Sequence, residues 1–265
     1  MNSVTERIAG LLNSDRIRID MRETVSSTNK LVKMLGHAGE PEGYLMIAES
    51  QTEGRGRLGR SFSSPKNTGL YLSLLLRPKQ RAQQAVRITT AAAVAVTEAI
   101  RALTKEQAEI KWVNDIWVNG RKVCGILTEA ALEPGSDRMD FAVLGIGVNL
   151  SEPAGGFDEN IRGIAGALYP YGKEPQHFRE MLAAEIINRF WTLYENLYDE
   201  TIVKRYQSYS MMSGREILII DDITKPEEAR EATAVGVDDN LALLVRLSDG
   251  TLETLSSGDV SLKLK

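Results

Sequence analysis

Ile110-Lys-Trp-Val-Asn-Asp-Ile-Trp-Val118, Asn119-Gly120 and Lys122-Val-Cys-Gly-Ile-Leu-Thr-Glu-Ala-Ala-Leu132 together read as two antiparallel strands joined by a tight turn. Asn-Gly is the dipeptide that accepts positive φ at both central turn positions, and apolar runs flank it on either side. Met139 to Leu150 supplies a further strand after a short Gly/Pro connection. Strands joined this closely exclude an all-parallel sheet, which needs a crossover of about a dozen residues at each step. The chain is therefore expected to be α+β with a central mixed sheet flanked by helices.

Working towards the N-terminus, Gly69 to Leu76 and Tyr44 to Ala48 read as buried strands, with a loop from Glu49 to Lys66 between them. Ile17, Ile19 and Met21 alternate with charged residues as a half-buried strand does. Ser26 to Asn29 offer N-caps for a helix through Leu31, Met34 and Leu35, and Ser3 and Glu6 have capping-box spacing before a short first helix. Arg81 to Leu103 predicts a core helix, since it is apolar on nearly every side from Thr90 to Ala95. Towards the C-terminus, Gln176 to Tyr209 predicts a long helix. From Ser213 the texture changes to short strands, ending with Val260 to Leu264, as in a small closed β-barrel. Two domains are expected, 1–210 and 211–265.

Composition narrows the function classes. The chain has 265 residues and a formal net charge of -4, so it lacks the basic excess of a non-specific nucleic-acid binder. Its single cysteine, Cys124, excludes an internal disulfide framework, and His37 and His177 have no neighbouring Cys/His cluster that would suggest zinc. No apolar run approaches a membrane span, so a cytoplasmic location is expected. The short segment before the first strand leads to the expectation of no helix-turn-helix module and no DNA partner.

The most unusual stretch is Gly54-Arg-Gly-Arg-Leu-Gly-Arg60. Its glycines match G-x-G-x-x-G, but a dinucleotide or P-loop site needs a helix directly afterwards, and Phe62-Ser-Ser-Pro65 followed by a strand offers none. A glycine-freed backbone carrying Arg55, Arg57 and Arg60 instead suits a polyanion; the plain alternative is a solvated basic turn. Three more stretches place polar groups or glycines in strand interiors: Lys111 to Asp115, Lys122 to Ile126, and Gly145 to Asn149. Close approach of a ligand explains them. So do, one by one, a salt bridge, a core cysteine and a bulge.

Taken together and in order, these stretches resemble the biotin protein ligases, whose catalytic domain carries G-R-G-R-x-G-R, K-W-P-N-D, K-x-x-G-I-L and G-I-G-x-N. The resemblance spans about residues 15 to 265, with Val113 where the family has proline. It implies a class II aminoacyl-tRNA synthetase-like (biotin synthetase-like) catalytic domain and a C-terminal SH3-like barrel. It implies that Ser27, Thr28, Asn29, Gln51, Gly54, Arg55, Gly56, Arg57, Lys122 and Gly125 bind biotin. Arg57, Arg60, Lys111, Asn114 and Asn149 are implied at the nucleotide, and Lys122, Arg57 and Asp115 in catalysis.

The implied reaction joins biotin to the α-phosphate of ATP, with Mg2+ accompanying the nucleotide, and then passes biotin to a lysine of a carrier domain such as that of a carboxylase. Bringing two anions together calls for preorganised cations, and the chain offers Arg57 and Lys122. A lipoate ligase or octanoyl transferase, and a biotin-sensing regulator, are the other readings. The oligomeric state is left open, with Asp140 to Asn149 as a strand that could pair across a homodimer.

Overall fold

The computed structural model describes residues 3–79, 81–222, 224–256 and 261–264. The N-terminal unit opens with helix α1 (Val4–Ala9), closed by the expected reciprocal bonds between Ser3 and Glu6. Strand β1 (Arg18–Val25), helix α2 (Thr28–His37), strands β2 (Tyr44–Gln51) and β3 (Gly69–Leu76), and helix α3 (Ala85–Thr104) follow. Then come β4 (Glu109–Lys111), β5 (Asp115–Val118), β6 (Arg121–Leu132), β7 (Met139–Asn149), α4 (Phe178–Tyr194) and α5 (Glu200–Tyr209).

The seven strands form one sheet in the order β1-β2-β3-β7-β6-β5-β4. Only β1 and β2 run parallel, with α2 as their crossover; every other pair is antiparallel, so the sheet is mixed. Alternate residues of β3 and β7 divide between two cores. Leu75, Phe141 and Val143 pack with Val32 of α2, while Leu74, Leu76, Ala142 and Leu144 join the larger cluster with α3 and α4. Residues Ala91 to Val96 of α3 are all buried, which is why that stretch of the helix carries no charged residue.

Four expectations are corrected. Ile110 to Val118 is not one strand: β4 and β5 are separate and antiparallel, because Asn114 leaves the ladder to bond Ile126 with its own carbonyl and its side-chain amide. The Trp112–Val113 peptide within that turn is cis. The long helix is interrupted at Glu195–Asp199, where Asp199 caps α5 through the Thr201 amide at 2.8 Å. β2 continues through Gln51, since its last residues still pair with β1. Finally, β7 is no free edge; β3 and β6 flank it on both sides, so it cannot pair across a dimer.

The C-terminal strands β8 (Glu216–Ile220), β9 (Arg230–Val237), β10 (Leu243–Leu247), β11 (Leu252–Leu255) and β12 (Ser261–Leu264) make a small antiparallel sheet in the order β11-β10-β9-β8-β12. Val260, expected to start the last strand, lies outside the described residues. The two units touch where Trp112 Nε1 donates to the Leu241 carbonyl at 2.9 Å and Gln207 Nε2 donates to the Val237 carbonyl at 2.9 Å.

Candidate active site

The face of the sheet that carries α2 is stripped of side chains in its middle. Gly125 on β6 pairs with Gly147 on β7, and Gly145 sits between Ser73 and Leu127. A Cβ on Gly145 would lie 2.0 Å from Asn29 Oδ1, and one on Gly147 would lie 2.6 Å from the Phe62 ring. At both places any larger residue would have to displace these side chains, and the bare backbone forms the floor of a cavity of about 140 Å³.

One wall is the start of α2. The Ser73 hydroxyl lies 2.8 Å from Thr28 Oγ1 and 2.6 Å from Asn29 Oδ1, while Asn29 Nδ2 donates to Glu129 Oε2 at 3.0 Å. The Thr28 amide donates to Gln51 Oε1 at 2.8 Å, and Gln51 Nε2 in turn donates to Ser64 Oγ at 2.9 Å. These buried polar groups hold one another in fixed rotamers, as a hydrogen-bonding site for a small polar ligand requires.

The opposite wall is the arginine-glycine loop. It closes on itself, the Gly56 amide donating to the Arg60 carbonyl at 2.7 Å and the Phe62 amide to the Gly54 carbonyl at 2.9 Å. Leu58 at the tip has φ 53°, a costly conformation for a bulky side chain. The chain then runs into β3 with no intervening α-helix, so the phosphate-binding strand-loop-helix arrangement is absent here.

Lys122 and Gly125 are three residues apart and would face opposite ways in a regular strand. A β-bulge in β6 opposite Ile116 and Trp117 re-aims the chain, so that both line the cavity. Lys122 Nζ thereby lies 2.7 Å from Asp115 Oδ1. Arg57 reaches in from the loop, with Nη1 3.4 Å from Asn114 Oδ1. Arg55, Arg57, Arg60, Lys111 and Lys122 line the space together with a single carboxylate, Asp115. In a chain of net charge -4 this is a strong local concentration of positive charge.

Burial lowers the Arg57 pKa; Asp115 opposes the shift and Arg60 adds to it. Lys111 is likewise lowered, by burial first, with Lys122 and Arg60 reinforcing and Asp115 opposing. Its ammonium lies 5.6 Å from the centre of the Trp117 ring. Crowded, partly desolvated cations gain most when an anion arrives to share their field.

Of the residues expected at the site, Ser27, Thr28, Asn29, Gln51, Arg55, Gly56, Arg57, Arg60, Lys111, Asn114, Asp115, Lys122 and Gly125 line this one cavity. Gly54 and Asn149 do not. Gly54 is a close-packed turn position, where a Cβ would meet the Phe62 carbonyl at 2.2 Å. Asn149 Nδ2 donates to the Gly166 carbonyl at 2.9 Å and so braces the segment whose Ile164 and Gly166 bond the Lys122 backbone. Phe62, Leu127, Gly145 and Gly147 also line the cavity, beyond the residues expected at the biotin and the nucleotide. The period of two from Gly125 along β6 and from Asn149 along β7 points to three of them; nothing in the local sequence marked Phe62. Of the plain alternatives, Asp115 does form a salt bridge and Cys124 is buried in the core, but the ladder at Gly145–Asn149 is regular.

Residues 21–149 match the Biotin/lipoate A/B protein ligase family, and residues 213–263 match the Biotin protein ligase C terminal domain. The chain is 31% identical over 244 residues to the bifunctional ligase/repressor BirA of Bacillus spizizenii, covering 91% of this chain and 73% of that one. It is 29% identical over 218 residues to the biotin--[acetyl-CoA-carboxylase] ligase of Paracoccus denitrificans, covering 76% of this chain and 83% of the relative. Among solved structures, the biotin protein ligase of Aquifex aeolicus in complex with biotin and ATP superposes with a TM-score of 0.75 at 25% identity, covering 94% of this chain and 99% of that one. A glycine-floored, cation-lined cavity on a mixed sheet, both domain matches and a relative aligned over most of its length converge, and the chain belongs to the biotin protein ligase family.

Proposed function

We propose that this protein adenylates biotin with ATP to give biotinyl-5'-AMP and then transfers biotin to a lysine of a biotin carrier domain. The observation that carries this reading is the convergence of Arg57 and Lys122 on one cavity whose other wall is the hydrogen-bonded Thr28-Asn29-Gln51 group. The polar wall suits the ring amide groups of biotin, and the cations suit its carboxylate beside a triphosphate.

In the first half-reaction a biotin carboxylate oxygen attacks the α-phosphorus and pyrophosphate leaves. Lys122 and Arg57 stabilise the negative charge gathered around that phosphorus, and Arg60, Lys111 and Asn114 hold the nucleotide. No general base is needed, because the carboxylate arrives ionised. Magnesium enters with ATP as part of the substrate: the cavity offers one carboxylate, already paired with Lys122, and no cluster of three or more His, Cys, Asp or Glu suited to a metal exists among the described residues. In the second half-reaction Asp115 faces the acceptor amine and the arginine-glycine loop shields the anhydride from water.

Residues 1–210 are assigned to catalysis and 211–265 to an SH3-like barrel built from the five C-terminal strands. The location is proposed to be cytoplasmic; among the described residues no helix is long and apolar enough to cross a membrane. The test is incubation with ATP and either biotin or lipoate, with mass detection of the acyl-adenylate and of a labelled carrier domain. Biotinyl-adenylate and a biotinylated carrier support the reading; lipoyl-adenylate alone overturns it.

A further inference from the structure

A second cavity, of about 200 Å³, shares a wall with the first. Ala85, Val86, Val113 and Ile126 give it an apolar side, and Thr89 and Thr128, with Thr89 Oγ1 2.8 Å from Thr128 Oγ1, give it a polar one beside Arg57. Arg57 and Ile126 line both spaces and so stand between them.

We propose that this second cavity is the acceptor subsite, which takes the side chain of the carrier lysine and leads its nitrogen past Arg57 to the biotinyl carbonyl. The inference rests on the biotinylation reading and concerns only its second half. On that reading the first cavity is where biotin and nucleotide meet, and the cations lining it repel an ammonium approaching from the same side. A lysine needs an entrance whose walls accept four methylenes, and the second cavity supplies those walls.

The same surroundings prepare the nucleophile. Burial among Val86, Val113 and Ile126 disfavours the charged ammonium, and so does the Arg57 guanidinium at the inner end. The amino end of α3, at Ala85, adds positive potential. The ammonium loses one proton to solvent and becomes the free amine, to which the threonine hydroxyls hydrogen bond. Its lone pair forms the amide bond with the biotinyl carbonyl carbon. The bond from that carbon to the phosphate oxygen breaks, AMP leaves with the electron pair, and the second nitrogen proton passes to Asp115 or water.

Ala85→Trp fills the cavity and tests the assignment. Adenylate formation is read as the hydroxamate made when hydroxylamine is added with ATP and biotin, since that small nucleophile does not need the lysine route. Hydroxamate yield is expected within about twofold of wild type, while kcat for biotinylation of a carrier domain falls at least tenfold with little change in KM. Transfer at the wild-type kcat overturns the proposal, and so does a defect confined to KM, which would mean surface docking. If Ala85→Trp fails to fold by circular dichroism, Val86→Leu is a smaller fill read by the same two numbers. A wild-type protein that forms no hydroxamate with biotin refutes the ligase reading instead, which keeps the two failures apart.

Discussion

Lys122 Nζ and Asp115 Oδ1 stand 2.7 Å apart across neighbouring strands, lining a cavity together with four further cations. The pair keeps the lysine aimed before substrates arrive. On the proposed reading, a substrate carboxylate or phosphate competes with Asp115 for the ammonium, and a lysine so engaged frees Asp115 for the amine of the second step.

Lys122→Ala is expected to slow adenylate formation by on the order of a hundredfold, the effect of losing one donor to a developing anion. Single-turnover pyrophosphate release measures it. A rate equal to wild type removes Lys122 from the first half-reaction.

Arg57→Ala should release biotinyl-adenylate faster by roughly ten- to a hundredfold, because a charge-assisted contact worth about 1.5 to 3 kcal/mol is lost. Retention of labelled intermediate through gel filtration is the readout. Unchanged retention would show that the loop holds the adenylate by other means.

Gly145→Ala places a methyl 2.0 Å from Asn29 Oδ1, so the asparagine must turn and give up its bond to Ser73. Biotin affinity by calorimetry is expected to fall about tenfold, the cost of one well-made polar contact. The double variant Asn29→Ala/Gly145→Ala should bind no worse than Asn29→Ala alone, because the clash then has no partner. Fully additive losses would place the effect elsewhere.

Glu98 ties α3 to α4 and α5 through Arg189 at 3.2 Å, Arg205, and the Tyr209 hydroxyl at 3.0 Å. Burial pushes its carboxyl up, but the bonds from Arg205 and Tyr209 and the charge of Arg189 outweigh that and hold it below the usual range. Its folded pKa is depressed, so its contribution is complete above the ordinary carboxylate value near 4.5 and is lost as pH falls through the lower folded value. Glu98→Gln should therefore melt several degrees below wild type at neutral pH, and the gap should close in acid. A gap that does not change with pH contradicts the assigned cause.

Much of this was legible in the sequence because the deciding signals are local. Asn119-Gly120 dictates a turn, Ser3 and Glu6 form a cap, and the apolar stretch around Ala91 to Val96 has only one way to be satisfied, inside. Four separated stretches also named most of the cavity, since each puts charge or glycine where a strand would have neither. What escaped depends on distant partners. Asn114 breaks the strand only because the Ile126 backbone is there to receive it, and the bulge that lets Lys122 and Gly125 share a cavity shows only in the pairing of β5 with β6. Phe62 enters the site by folding back over Gly147, a contact between residues 85 positions apart with no local periodicity to announce it.

The turn from Trp112 to Asn114 hangs between two outside supports: the Tyr206 hydroxyl donates to the Val113 carbonyl at 3.0 Å, and the Leu241 carbonyl receives the Trp112 indole. A unit with no side chain in the cavity lining among the described residues thus helps to align it from a point 129 positions downstream. Trimming the C-terminal strands would remove none of the cavity's described lining residues yet would unhitch the turn that leads into Asn114 and Asp115, so the small unit acts as a brace for the cavity.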